Sequence, residues 1–291
     1  MLASLIIIVF FVTRMVGDPV RLMLHPNATD EQIQTVRAKY GLDDPLLVQF
    51  GHFLSGLPRG DFGDSMWQRA PALEIVLNRL PATLYLAGVT MAIAFPIAVA
   101  LGIISAVWPR SLADRIVTVL SLAGLSIADF WLALMMILFF AEGLGWFPTS
   151  GFGGAKFVVL PALTLAARPL GRISQIQRTA MLDELANGYV TTARAKGLSE
   201  RVVVLFHTLK NASIPTVTMA GHEVASLLNG AIVIEVIFGW PGIGSLLIQA
   251  IERRDLTIVV AATVVIAALV ITVNFVVDLI YGWADPRVRF G

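Results

Sequence analysis

The chain has 291 residues, 57% of them hydrophobic and 14% charged, with a formal net charge of +1 and a mean hydropathy of +0.79. That balance excludes a soluble domain and describes an integral membrane protein, whose charges are segregated into loops and form no basic patch for nucleic acid. With no cysteine, disulfides and thiolate metal sites are excluded.

A bilayer span needs about 20 predominantly apolar residues. The first candidate, residues 2–15, is short. It lacks the basic start and small-residue cleavage site of a signal peptide, so it reads as a span, within a first segment 1–16. Residues 17–82 alternate turn signals with helical patterns. Gly17-Asp18-Pro19 ends a helix, Thr29-Asp30-Glu31 can cap the next, and Gly41 stops it before Asp43-Asp44-Pro45. Helices over 31–40 and 45–54 carry too few apolar residues for a core of their own, which predicts an extracytoplasmic cap packed on the membrane domain or a partner. Five further spans follow in the 83–291 core, over 83–107, 116–140, 157–176, 215–238 and 256–283. Pro96 and Pro161 fit helices that bend or pack irregularly.

Arg110 and Arg115 mark one cytoplasmic loop. Arg178, Arg194, Lys196, Arg201 and Lys210 mark another, with Arg168 and Arg172 nearby, and Arg287 and Arg289 mark the tail. Six spans with both termini cytoplasmic satisfy this pattern. The large cytoplasmic loop, 183–214, is basic and helix-prone. Residues 184–196 read as one short helix and Gly197 as the turn after it. Ser199 reads as the cap of a second helix beginning at Glu200.

Four acids fall inside expected spans: Asp129, Glu223, Glu235 and Asp278. A charge at the bilayer centre costs about 2.5–3.5 kcal/mol on insertion scales, so these side chains should face protein or water. Glu223 and Glu235 lie twelve residues apart, on adjacent faces of one helix, and Asn274 lies one turn from Asp278. Lining of a translocation path and interhelical bonding both fit these residues, Glu223 being the better lining candidate. Asp129, beside Phe130-Trp131, also fits an interfacial position. His222-Glu223 begins a zinc-protease pattern, but Ser226 stands where the second histidine is needed. No P-loop and no nucleophile–base set is recognisable, so neither a catalytic, a cofactor nor a metal site is expected on this chain. Gly239 to Gly244 reads as a re-entrant or tight turn between the last two spans.

The stretch Thr192-Ala193-Arg194-Ala195-Lys196-Gly197-Leu198-Ser199-Glu200, with His207 and Pro215 after it, resembles the loop that ABC-importer permeases of the dipeptide and oligopeptide (peptide/nickel) family present to their ATPases. The match is partial, because Thr191 and Thr192 replace the first two residues of the general pattern. Other segments match the same family in order: Gly17-Asp18-Pro19, Tyr40 to Leu46, Gly60 to Ser65, Leu80 to Leu84, Phe238 to Gly244 and Asp285 to Arg289. Glu235, Asn274 and Asp278 also match family positions. The resemblance implies an all-α type I importer permease with six transmembrane helices, the first of two permease subunits. Family members usually begin earlier, so the first span is expected to be truncated here or its start placed late. The implied complex in the bacterial inner membrane holds a homologous second permease, two ATPases that carry ATP and Mg, and an extracytoplasmic binding protein. The implied cargo is di- or oligopeptide, with nickel chelates or glutathione as alternatives. Two other readings remain: a proton-coupled secondary transporter using the intramembrane acids, and an intramembrane hydrolase.

Overall fold

The computed structural model describes residues 7, 8, 10, 11, 34, 44–65 and 67–284, which are mostly helical. Its helices are α1 (Leu46–Gly56), α2 (Ala72–Val107), α3 (Leu112–Ser126), α4 (Asp129–Gly143), α5 (Ala155–Leu185), α6 (Gly188–Ala195), α7 (Glu200–Ile237), α8 (Ile243–Glu252) and α9 (Leu256–Ala284). Four of them, α2, α5, α7 and α9, are long and apolar enough to cross a membrane, and α3 with α4 passes the same test only as a pair, bent by 106° into a broken span or a re-entrant loop. Most of the expected first span, the 31–40 helix and the closing Asp285 to Arg289 motif lie outside the described residues.

The helices exceed the apolar stretches that announce them. At 1.5 Å per residue α5 is about 46 Å long and α7 about 57 Å, against a hydrocarbon core of about 30 Å. The excess lies at the C-terminal end of α5 and the N-terminal end of α7, the two ends that flank α6.

One compact unit comprises Met1–Ala82 and Pro241–Leu269. Its core joins Ala72 and Val76 of α2, Ile243, Leu246 and Ala250 of α8, and Ile258 and Ala262 of α9. Asp255 is buried and organises the loop before α2. Its Oδ2 accepts from Ser65 Oγ at 2.6 Å and from the Trp67 backbone N–H at 3.1 Å, while Oδ1 caps α9 by accepting from Ile258 N–H at 3.2 Å. Arg253 lies over the Trp67 ring, 5.5 Å from its centroid. The expected turn at Gly239 to Gly244 is therefore only the lead-in to a helix. Gly239 makes the turn at φ +59°, and α8 follows it with apolar residues on one face.

The other unit comprises Thr83–Trp240 and Val270–Gly291. Here α5 is central, packed against α7, α3 and α4. Glycines let α3 and α5 approach closely. A Cβ on Gly124 would stand 2.5 Å from the Ala167 carbonyl oxygen, and one on Gly171 would stand 2.5 Å from that of Ser121. Ser121 and Ser174 hydroxyls share a hydrogen bond of 2.7 Å in the same seam.

The expected span over 116–140 is sharply bent. Ile127 and Ala128 take extended backbone angles, and α3 meets α4 at 106°. Asp129 consequently sits in the first turn of α4, where a carboxylate is favoured by the helix dipole. The end of α4 widens into π-helical turns over Ile137–Gly143. Pro161, Pro169 and Pro215 lie within helices that continue through them.

Candidate functional site

The segment between α5 and α7 is built as a bracket. The expected single helix over 184–196 is interrupted, because α5 stops at Leu185 and Asn187, with extended backbone, starts α6 at Gly188. Asn187 Nδ2 donates to Glu184 Oε2 at 3.1 Å, and the Tyr189 hydroxyl donates to the same oxygen at 2.5 Å. Asn211 of α7 donates to the Tyr189 oxygen at 3.3 Å. One carboxylate thus ties the end of α5 to α6, and Tyr189 carries the tie to α7.

Apolar anchors hold the bracket's inner face. Val190 and Ala193 of α6 are buried against Val203 of α7, with Leu185 beside them. A second cluster joins Ala106 of α2, Met181 of α5 and Val204 and Ala212 of α7. Ala193 is therefore an anchor, whereas Thr192, Arg194, Ala195, Lys196, Gly197, Leu198, Ser199, Glu200 and His207 all stand exposed.

Gly197 turns the chain at φ +79° and completes a Schellman closure of α6. Its N–H donates to the Arg194 carbonyl at 2.9 Å, and Leu198 N–H donates to that of Ala193 at 3.4 Å. Added carbon at Gly197 would meet nothing within 4 Å, so the demand for glycine here is conformational rather than steric. Ser199 occupies the N-cap position of α7 in extended backbone, but its side chain makes no capping bond. Instead Arg194 spans the turn in a bidentate pair with Glu200, Nε to Oε1 at 2.8 Å and Nη2 to Oε2 at 3.3 Å. The result is a short exposed helix, basic and threonine-rich on its outer side, clamped to two long helices that enter the membrane.

Deeper in the unit the polar residues pair between helices. Arg172 of α5 donates from Nη1 to Glu223 Oε1 at 3.0 Å. The carboxylate side chain is 1% exposed and the guanidinium side chain 45%. Glu235, twelve residues along α7, is buried and accepts from Thr83 Oγ1 of α2 at 2.7 Å. The two acids so face different neighbours, as their adjacent azimuths require. On α9, Asn274 is half-buried and Asp278 exposed, and neither makes a side-chain hydrogen bond or ion pair among the described residues.

One network escaped the sequence reading. Asp114, in the first turn of α3, is buried and receives Arg178 of α5 in bidentate fashion, Nε to Oδ1 at 2.7 Å and Nη2 to Oδ2 at 3.0 Å. The Ser105 hydroxyl of α2 also donates to Oδ1, and the Arg110 backbone N–H donates to Oδ2 at 2.8 Å. Three helices close on one carboxylate. The signal available was Ser111-x-x-Asp114, a capping pattern, and Ser111 Oγ indeed accepts from Asp114 N–H at 3.2 Å.

Comparison with known proteins bears on this geometry. Residues 98–290 match the family described as binding-protein-dependent transport system inner membrane component, and residues 1–87 match the N-terminal domain of the membrane components of such systems. The glutathione transport system permease protein GsiC of Escherichia coli (strain K12) is 39% identical over 285 residues, covering 98% of this chain and 93% of that one. Among solved structures, the fold matches the MetNI methionine ABC transporter in its inward-facing conformations. The TM-score is 0.59 at 20% identity, over 72% of this chain and 96% of that one. It also matches an amino acid ABC transporter solved with histidines, with a TM-score of 0.58 at 13% identity over 72% of this chain and 93% of that one.

Proposed function

Since the chain belongs to the family of inner-membrane components of binding-protein-dependent transport systems and is a permease subunit of an ABC importer, we propose that its cargo is short peptide, glutathione included. The observation that carries the proposal is the GsiC likeness along 98% of the chain, combined with an α6 segment whose motif residues, Ala193 apart, stand exposed. In this reading α6 and the turn at Gly197 seat in a groove on an ATPase subunit. ATP and Mg are held by the two ATPases. Closure of those subunits drags α6, and the extended ends of α5 and α7 act as levers on the membrane helices. A homologous second permease completes the passage, and an extracytoplasmic binding protein delivers the peptide. Both termini lie in the cytoplasm, the side on which Arg110, Arg115 and the basic α6 segment collect.

The test is native mass spectrometry of the complex that co-purifies with this chain from its own membranes. Two ATPases, a sister permease and a binding protein carrying a ligand of peptide mass are expected. A metal chelate on the binding protein would overturn the peptide assignment and keep the importer. A chain that purifies without ATPases would overturn the coupling role of α6.

A further inference from the structure

The helix at the centre of the bundle carries an exposed charged face that none of the roles above uses. Of the four long spans, α5 is the least apolar and the most buried, with 61% of its most apolar window inside the structure. Its opposite side is buried and holds Ala162, Ala166, Ile173 and Met181, with Ser174 and Gln177 among them. Its open side holds Arg168, Arg172, Gln175, Thr179 and Asp183, all exposed except half-buried Gln175. At 100° per residue these five fall within an arc of about 80°, so they form one stripe. Along the axis from residue 157, where the apolar stretch begins, Arg168 lies about 16 Å and Arg172 about 22 Å, both within the roughly 30 Å length of a span.

Acyl chains are a costly neighbour for such a stripe, because two guanidinium groups along a span call for water, protein or a counter-charge. The helices that present apolar surface, such as α9 with Ile271, Phe275, Val276 and Leu279, have what α5 lacks for that purpose. Two features make the stripe look built. Glu223, 1% exposed, grips Arg172 through Nη1 alone, so the guanidinium is oriented and its remaining donors stay open at a side chain 45% exposed. Arg168, one turn away, has no hydrogen-bond or ion-pair partner among the described residues. Toward the α6 bracket the stripe runs into a cleft of about 380 Å³ between α5 and α7, lined by Thr179, Asp183, Asn211 and Pro215 among others.

We propose that this face of α5 lines the aqueous route, and that Arg172, positioned by Glu223, with Arg168 beside it binds the carboxylate of the passing substrate. The inference rests on the importer reading and gives that route a chemical preference for anionic groups. A guanidinium already half-neutralised by Glu223 holds a carboxylate more weakly than a bare one, which suits a site that must release its cargo.

The chain's lack of cysteine makes the test clean. Gln175→Cys is assembled into the full complex in proteoliposomes. Its labelling by a sulfonate-bearing methanethiosulfonate is compared with that by a trimethylammonium-bearing one, each normalised to a free thiol. The expected result is labelling that favours the anionic reagent about fivefold to tenfold, from the one net positive charge that Arg168 and Arg172 leave after Glu223, about 7 Å away in water. Arg172→Gln should bring that ratio near unity, and millimolar glutathione should slow the reaction. Thr179→Cys, one turn from Asp183, should be labelled with a smaller anionic preference. Labelling with no charge preference, or with a preference Arg172→Gln leaves unchanged, would overturn the anion site. No labelling in either nucleotide state would overturn the aqueous route, and anionic lipid retained by wild type but lost from Arg168→Gln would assign the face to lipid instead. The importer reading fails separately, if the unlabelled wild-type complex does not accumulate peptide on addition of ATP.

Discussion

Removing Arg178 while keeping Asp114 should destabilise this protein more than the reverse substitution. Arg178→Met leaves a carboxylate whose side chain is 7% exposed without its bidentate partner, though the Ser105 hydroxyl and the Arg110 N–H still donate to it. Breaking a buried ion pair costs about 3–5 kcal/mol, and the two surviving donors reduce that to about 2–3 kcal/mol. Asp114→Asn leaves the guanidinium instead, and its 31% exposure lets water replace part of the lost bond, for about 1–2 kcal/mol. In the double variant neither charge is stranded, so the two losses should fall short of additivity by about 1.5 kcal/mol. Unfolding in mild detergent, followed through the fluorescence of the 6 tryptophans, supplies the three values. Additive losses, or an Asp114→Asn variant weaker than Arg178→Met, would refute the assignment of this network as the tie among α2, α3 and α5.

Gly197→Val should strain the turn by about 1–3 kcal/mol, since only the +79° φ and no neighbouring atom resists the side chain. Gly197→Asn should be milder, and ATP-driven uptake by the assembled complex ranks the two. Gly171→Ala and Gly124→Ala each place a Cβ 2.5 Å from a carbonyl oxygen, so each should cost about 1–3 kcal/mol in detergent unfolding by forcing α3 from α5. Thr83→Val removes a donor to buried Glu235 and should lower the unfolding midpoint by an amount that Thr83→Ser recovers, a loss of about 1–3 kcal/mol.

The sequence was legible where apolar length or a local turn carries the signal. Hydropathy located α2, α5, α7 and α9, and the glycine at 197 announced both its turn and the exposed segment before it. Elsewhere the determinants are contacts between distant residues. The break at Ile127 and Ala128 has neither proline nor glycine at the bend itself, and it accompanies an approach of Gly124 to Ala167 that only the folded chain creates. Helix α8 has an amphipathic pattern, but ten residues are too few for a span, and the glycines before it drew the reading toward a turn. The partners of Asp114 and Glu223 lie 64 and 51 residues away, so their charges could be placed in a loop or a span without revealing that each carboxylate is met by an arginine of α5. Interruption of the expected 184–196 helix follows from Asn187 bonding back to Glu184, a local competition that helix periodicity does not register.

The most direct test of the account is uptake into proteoliposomes holding this chain, its sister permease and both ATPases, with a peptide-loaded binding protein on the extracytoplasmic side. Accumulation should require ATP on the ATPase side and ignore a proton gradient. It should collapse when Lys196 and Leu198 at the exposed end of the bracket are replaced by bulky acidic residues that block docking. Uptake driven by a proton gradient in liposomes holding this chain alone would contradict it.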